Sequence, residues 1–218
     1  GNDMGCCGDT AEEEVERSAL FRELPDNAVA IRRVAFSALR HHERIGPDEL
    51  ARRSGRDLSA VRTALDWLED TGLVGQDARG RVIVIAGLTV EPTRHRLTLD
   101  GESFFTWCAI DAVGIPAALS LSAEVVTACG HCGAVIEVVI DHGDPPSDSP
   151  LRGWVPPTTC ENVRADLCPV ANLFCSLEHL EQWRSGAGNP RGEVADVARF
   201  AELGRHAWGD WAEERDNV

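Results

Sequence analysis

Apolar residues recur at helical spacing in three stretches of the first half of the chain. Val29, Ala30, Val34 and Leu39 predict a helix over 28–41, and Pro47 opens a short one that runs to Arg53. Val61, Ala64, Leu65 and Leu68 form one stripe over 58–71, with Asp57 placed to cap it and Gly72 to end it. Period two then takes over. Leu73–Val74 and Arg81–Ile85 read as strands around an Asp77–Gly80 turn, and His95–Leu99 as a strand ending at Asp100–Gly101. Phe104 to Val113 predicts a helix, with Ser103 at its start, Gly114 at its end and Pro116 barring continuation. Beyond it, Glu124–Ala128 and Val135–Ile140 read as strands flanking Cys129-Gly-His-Cys132. Asp141–Pro157 reads as a surface loop from which Trp154 packs back, and Leu173–Cys175 as a strand. Ser176 caps a helix to Trp183, and Glu193–Glu214 is mostly helical, with a break at Gly204 and anchors at Trp208 and Trp211. The pattern predicts an α+β fold: a flexible acidic tail over 1–19, a winged-helix-like helical domain over 20–90, and a mixed α/β domain with a small antiparallel sheet over 91–218.

Charge narrows what the winged-helix pattern can mean. The net charge is −15, and all 21 basic residues are Arg. The stripe helix offers Arg56 and Arg62 at its start but also Asp57, Asp66, Glu69 and Asp70. Phosphate contact needs a basic face, so nucleic acid is not an expected partner and the helices are expected to support or cover a site. No apolar run approaches the roughly 18 residues of a membrane helix, and no secretory segment is legible, so the expectation is a cytoplasmic protein without a membrane partner. Met4-Gly5-Cys6-Cys7 is not read as an acylation signal, because Asp9 stands where a hydroxyl residue is needed.

The eight cysteines then become the chemical question: Cys6, Cys7, Cys108, Cys129, Cys132, Cys160, Cys168 and Cys175. In a reducing compartment they point to metal or catalysis rather than disulfides. Cys108 and Asp111 are three apart, so on a helix they share a face: a soft ligand or nucleophile beside a proton carrier. Phe104, Phe105, Trp107, Ile110, Val113 and Ile115 surround them with apolar groups, which tend to raise a carboxyl pKa. A buried structural Cys with a surface Asp is the plainer reading of the same spacing. The strand–CxxC–strand at 129–132 resembles half of a zinc ribbon or a redox pair. Cys160, Cys168, Cys175, His131 and His142 are the donors weighed as completing it, with both histidines more simply turn residues and Cys175 structural. Adjacent Cys6 and Cys7 suit a soft-metal relay or an unimportant tail.

Thr106-Trp-Cys-Ala-Ile-Asp-Ala-Val-Gly-Ile-Pro-Ala-Ala-Leu119, followed by Val125-Val-Thr-Ala-Cys129, resembles the active-site region of the organomercurial (alkylmercury) lyases. The likeness resumes at Val163-Arg-Ala-Asp-Leu-Cys168 and Leu173–Trp183, and more weakly at Ala201–Trp211. It implies a catalytic domain over 91–218 behind a winged-helix-like N-terminal part. It implies an enzyme that breaks carbon–mercury bonds by protonolysis, giving hydrocarbon and Hg(II). Cys108 and Cys168 would be the essential thiols that hold the mercury, with Asp111 beside them as proton carrier. Cys129 would support the fold. No organic cofactor is implied; Hg(II) is the bound product, and a thiol reductant is needed for turnover. The implied partners are a small organomercurial substrate, small thiols and a mercuric reductase. Pro169 departs from the pattern, standing where a further cysteine is expected. Two other functions remain open on the residues alone. One is a relative repurposed for another soft metal or thiol-reactive substrate, such as copper or an organotin compound. The other is a metal-responsive winged-helix regulator.

Overall fold

The computed structural model describes residues 24–156 and 161–209. Cys6, Cys7, Cys160, Trp211 and the acidic tail over 1–19 lie outside the described residues.

Three helices come first: α1 (Asp26–Arg40), α2 (Pro47–Ser54) and α3 (Leu58–Asp70). The first and third each turn an apolar stripe inward, Val61, Ala64, Leu65 and Leu68 in α3, while the short α2 buries Leu50 alone. The hairpin β1 (Val74–Gln76) and β2 (Val82–Ile85) follows, then β3 (Leu88–Thr89), β4 (His95–Leu99) and β5 (Glu102–Thr106). After β5 come α4 (Ala109–Leu119), β6 (Ala123–Ala128) and β7 (Val135–Ile140). The last part holds β8 (Arg152–Val155), a π-helical turn (Val163–Leu167), β9 (Leu173–Phe174), α5 (Leu177–Gly186), β10 (Glu193–Ala195) and α6 (Val197–Trp208).

The sheet is larger than the small one expected. Seven antiparallel strands run in the order β1-β2-β3-β5-β4-β6-β7, and a second sheet runs β10-β8-β9. The sequence pattern misses four strands: β5 and β10, read as helix, β8, read as loop, and the short β3. It pairs Leu88 with Thr106 and Thr89 with Phe105, so the hairpin behind the helices continues into the strands beside the cysteines. Two residues are too few to show a period, and only the pairing across the chain reveals them. Trp154, expected on a loop, is the buried centre of β8.

The stretch 104–113 is not one helix. Phe104 and Phe105 belong to β5, where Phe104 sits opposite Leu97 and Phe105 opposite Arg96. The helix begins only after Cys108 and runs through Gly114 and Pro116 to Leu119. Aromatic residues suit a pleated, half-buried surface, and here sheet pairing outweighs the helical pattern. Pro116 deprives the helix of one N–H. All eleven residues of α4 are nevertheless buried, and packing on every side overrides that local cost.

Gly114 and Gly204 explain the closest contact. A Cβ on Gly204 would stand 2.1 Å from the Gly114 Cα, so α4 and α6 meet backbone to backbone. Gly204, expected as a break, is instead the point of closest approach inside a continuous helix.

Candidate functional site

Cys108 is the N-cap of α4, and Asp111 is its third helical residue. The Cys108 backbone N–H donates to Asp111 Oδ2 at 3.1 Å, so the carboxylate end of a capping box is built from the two chemical residues themselves. Their proximity therefore comes from the cap rather than from a shared helical face. Thr106 Oγ1 donates to the Cys108 carbonyl at 2.9 Å and fixes the strand-to-helix junction.

Cys168 arrives from the other end of the chain. It closes the π-helical turn, and Asn162 caps that turn by accepting from the Ala165 N–H at 2.9 Å. Asn162 Nδ2 also donates to the Asp70 carbonyl at 3.1 Å, and the Val163 N–H to the Thr71 carbonyl at 3.0 Å. The end of α3 thus carries the segment that holds Cys168. On the other side the Ala109 N–H donates to the Ala171 carbonyl at 3.1 Å, joining that segment to the start of α4.

The result is that Cys108, Asp111 and Cys168, all buried, bring their ligand atoms within 4.8 Å of one another. Burial raises the Asp111 carboxyl to about 7, although its contacts with Cys108 pull the other way. Burial also raises the Cys108 thiol well above its ordinary value, and neighbouring Cys168 and Asp111 add to the effect. Near neutrality Asp111 therefore shares its carboxyl between the protonated and ionised forms, where a free carboxyl would have lost its proton. Cys168 lines a cavity of about 220 Å³, with His95, Trp107, Arg164 and Pro169 among its walls. The Arg164 guanidinium lies 4.7 Å from the centre of the Trp107 ring. Buried His95 is bonded to Thr127 Oγ1 at 2.8 Å, and burial holds its ring down at about 4, so it is neutral.

The sequence of this chain matches the family described as MerB, alkylmercury lyase, over residues 88–209, more than half of its length. This chain belongs to the alkylmercury lyase family. An alkylmercury lyase of Streptomyces lividans is 30% identical over 161 residues, covering 72% of each chain. One of Staphylococcus epidermidis is 28% identical over 162 residues, covering 73% of this chain and 72% of its own. In fold, the crystal structure of the mercury-bound form of MerB2 superposes with a TM-score of 0.82 at 22% identity, covering 93% of this chain and 98% of that one.

Beside the lyase-family signature the structure holds a second group that sequence reading left incomplete. Cys129, Cys132, Cys175 and His179 also bring their ligand atoms within 4.8 Å of one another. Cys168, weighed as a donor for this group, belongs to the first cluster instead. His142 lies on the surface beside Asp141, with 2.6 Å between Nδ1 and Oδ1. His131 is outside the donor set, its ring centre 5.3 Å from that of His179. His179 is not among the donors that the sequence pattern singles out. Its signal was the Cys175-x-x-x-His179 spacing across a helix start, since three intervening residues is ordinary ligand spacing. Gly87 abuts Asp111, and nothing in its neighbourhood along the chain marks it.

Proposed function

We propose that this chain is an organomercurial lyase in which Cys108, Cys168 and Asp111 break the carbon–mercury bond by protonolysis. Family membership supports the reaction class. The observation that carries the residue assignment is the convergence of two thiols and one carboxyl, all buried, beside a cavity onto which Cys168 opens.

Cys168 lines the cavity and is the first captor. Its thiolate displaces a small thiol from R–Hg⁺ and forms a sulfur–mercury bond, because soft sulfur suits soft mercury. Cys108 then gives its proton to the Asp111 carboxylate and adds to mercury as thiolate, pushing electron density onto carbon. Asp111 delivers that proton to carbon as the carbon–mercury bonding pair becomes the new C–H bond. The hydrocarbon leaves, and Hg(II) stays between the two sulfurs. A carboxyl raised to about 7 is suited to this task, since it can both take and give a proton near neutrality. No organic cofactor is required; small thiols in solution, or a mercuric reductase, take up the Hg(II).

Residues 20–90 act, on this reading, as a winged-helix-like support for a catalytic part over 91–218. The ties from Asp70 and Thr71 to Asn162 and Val163 supply that role directly. With few cations on α3, support accounts for the unit better than DNA binding. The compartment consistent with thiol chemistry of this kind is the reducing cytoplasm.

The test is headspace detection of benzene from phenylmercury with excess thiol, comparing the wild type with Asp111→Ala. Release by the wild type alone is expected. Normal release by Asp111→Ala would remove Asp111 from the mechanism, and no release by folded, reduced wild type would remove the lyase reading.

A further inference from the structure

We propose that Cys129, Cys132, Cys175 and His179 form a structural zinc site, separate from the mercury chemistry and independent of it. Four donors of the Cys3His type come from three separate pieces of chain: the β6–β7 turn, the residue after β9, and the first turn of α5. Zinc takes such sets tetrahedrally, with sulfur at about 2.3 Å and nitrogen at about 2.0 Å, which puts neighbouring sulfurs about 3.8 Å apart and sulfur about 3.5 Å from nitrogen. Cys132 Sγ and Cys175 Sγ are 3.9 Å apart, and Cys129 Sγ and His179 Nδ1 3.7 Å. Both separations are tetrahedral edges, and neither is a bond: a disulfide would need sulfurs about 2.05 Å apart.

The local backbone is shaped for such a site. The Gly133 N–H closes the turn onto the Cys129 carbonyl at 3.1 Å, with Gly133 in the left-handed region at φ 73°. The Ser176 hydroxyl accepts from the His179 N–H at 3.2 Å and sets the start of the ligand-bearing helix. The Gly130 N–H donates to the Leu173 carbonyl at 2.9 Å, a main-chain tie between the two halves of the donor set. Four donors in a closed set leave no open position, which marks a structural rather than a catalytic zinc. Its mechanical effect would be to clamp the β6–β7 hairpin to the segment that leads from Cys168 into α5.

The protein is produced without mercury, purified under reducing conditions and assayed for metal by mass spectrometry. About one zinc per chain is expected in the wild type and in Cys108→Ser/Cys168→Ser. Cys132→Ser and Cys175→Ser should lose it, whereas His179→Cys, which keeps four donors, should retain it. Replacement of the zinc by Co(II) should give thiolate charge-transfer bands and the intense visible absorption of a tetrahedral site. Removal of zinc by a chelator should lower Tm, and added zinc should restore it. A reduced wild type that carries no zinc and takes up neither Zn(II) nor Co(II) overturns the proposal. So does a Cys132–Cys175 disulfide in the protein as isolated, or loss of the zinc from Cys108→Ser/Cys168→Ser.

Discussion

Gly87 and the Asp111 carboxyl occupy adjoining space so closely that no side chain fits between them. A Cβ on Gly87 would stand 2.2 Å from Asp111 Cγ, and Gly87 lies in the left-handed region at φ 84°. The Gly87 carbonyl accepts from the Trp107 N–H at 3.0 Å, and Trp208 Nε1 donates to the Ala86 carbonyl at 3.2 Å. The turn that confines the proton carrier is therefore fastened from two sides. Gly87→Ala should push the carboxyl away while leaving both thiols in place. A displacement of about 1 Å costs on the order of 100-fold in rate. Benzene release should fall by about that factor, while mercury stays bound to the protein after gel filtration. An unchanged rate would show that Asp111 does not need its present position.

Asp111 also makes a prediction about stability. Its folded carboxyl titrates at about 7, above the ordinary 3.8, so the folded state holds a proton that the unfolded state releases. Folding stability from this group therefore falls as pH rises from about 4 to about 7, and is level above that. Asp111→Asn removes the titration. Its Tm relative to wild type should rise across that window, as read by thermal melts at half-unit pH steps. A parallel pair of Tm–pH curves would contradict a raised carboxyl.

The two thiols should differ in access. Cys168 lines the cavity and Cys108 is fully buried, so Cys108→Ser should still capture one phenylmercury at Cys168 without releasing benzene. Cys168→Ser should capture far less at Cys108. Peptide mapping of the adducts after brief exposure separates them from modification at exposed Cys132. Equal labelling of Cys108 and Cys168 would reverse the order of attack given above.

Arg164 and Trp107 form one wall of the cavity. Arg164→Ala should loosen that wall and raise KM for an arylmercurial several-fold, with kcat changed much less. A contact of this kind is worth about 0.5–1 kcal/mol at an exposed site, which sets the scale of the effect. A fall in kcat alone would mean that Arg164 acts on the chemical step.

Gly204→Ala tests the frame behind the site. Its new methyl would meet the Gly114 backbone, which has no side chain to move aside. A loss of about 3 kcal/mol is expected, seen as a Tm lower by roughly 6–12 °C for a chain of this size. A Tm within a degree of wild type would mean that α4 and α6 separate easily.

The sequence by itself determined the local elements whose pattern is long or sharply bounded. His95–Leu99, Val135–Ile140 and the stripe of α3 stand where their periods put them, because burial of one face is written into every turn or every second residue. It also determined the chemical types in the Trp-Cys-Ala-Ile-Asp stretch and in Val163–Cys168, and with them the family resemblance. Tertiary structure decided where those residues meet. It drew Phe104 and Phe105 into β5, made Cys108 a cap rather than a mid-helix residue, and carried a helix through Pro116 because α6 and the sheet enclose it. Cys168 reaches Cys108 through ties to Thr71 and Ala171, and His179 reaches Cys129 through the pairing of β8 with β9 and the Gly130–Leu173 bond. Such contacts join residues many positions apart. A periodic pattern records which face of an element is buried, but not which other element lies against that face.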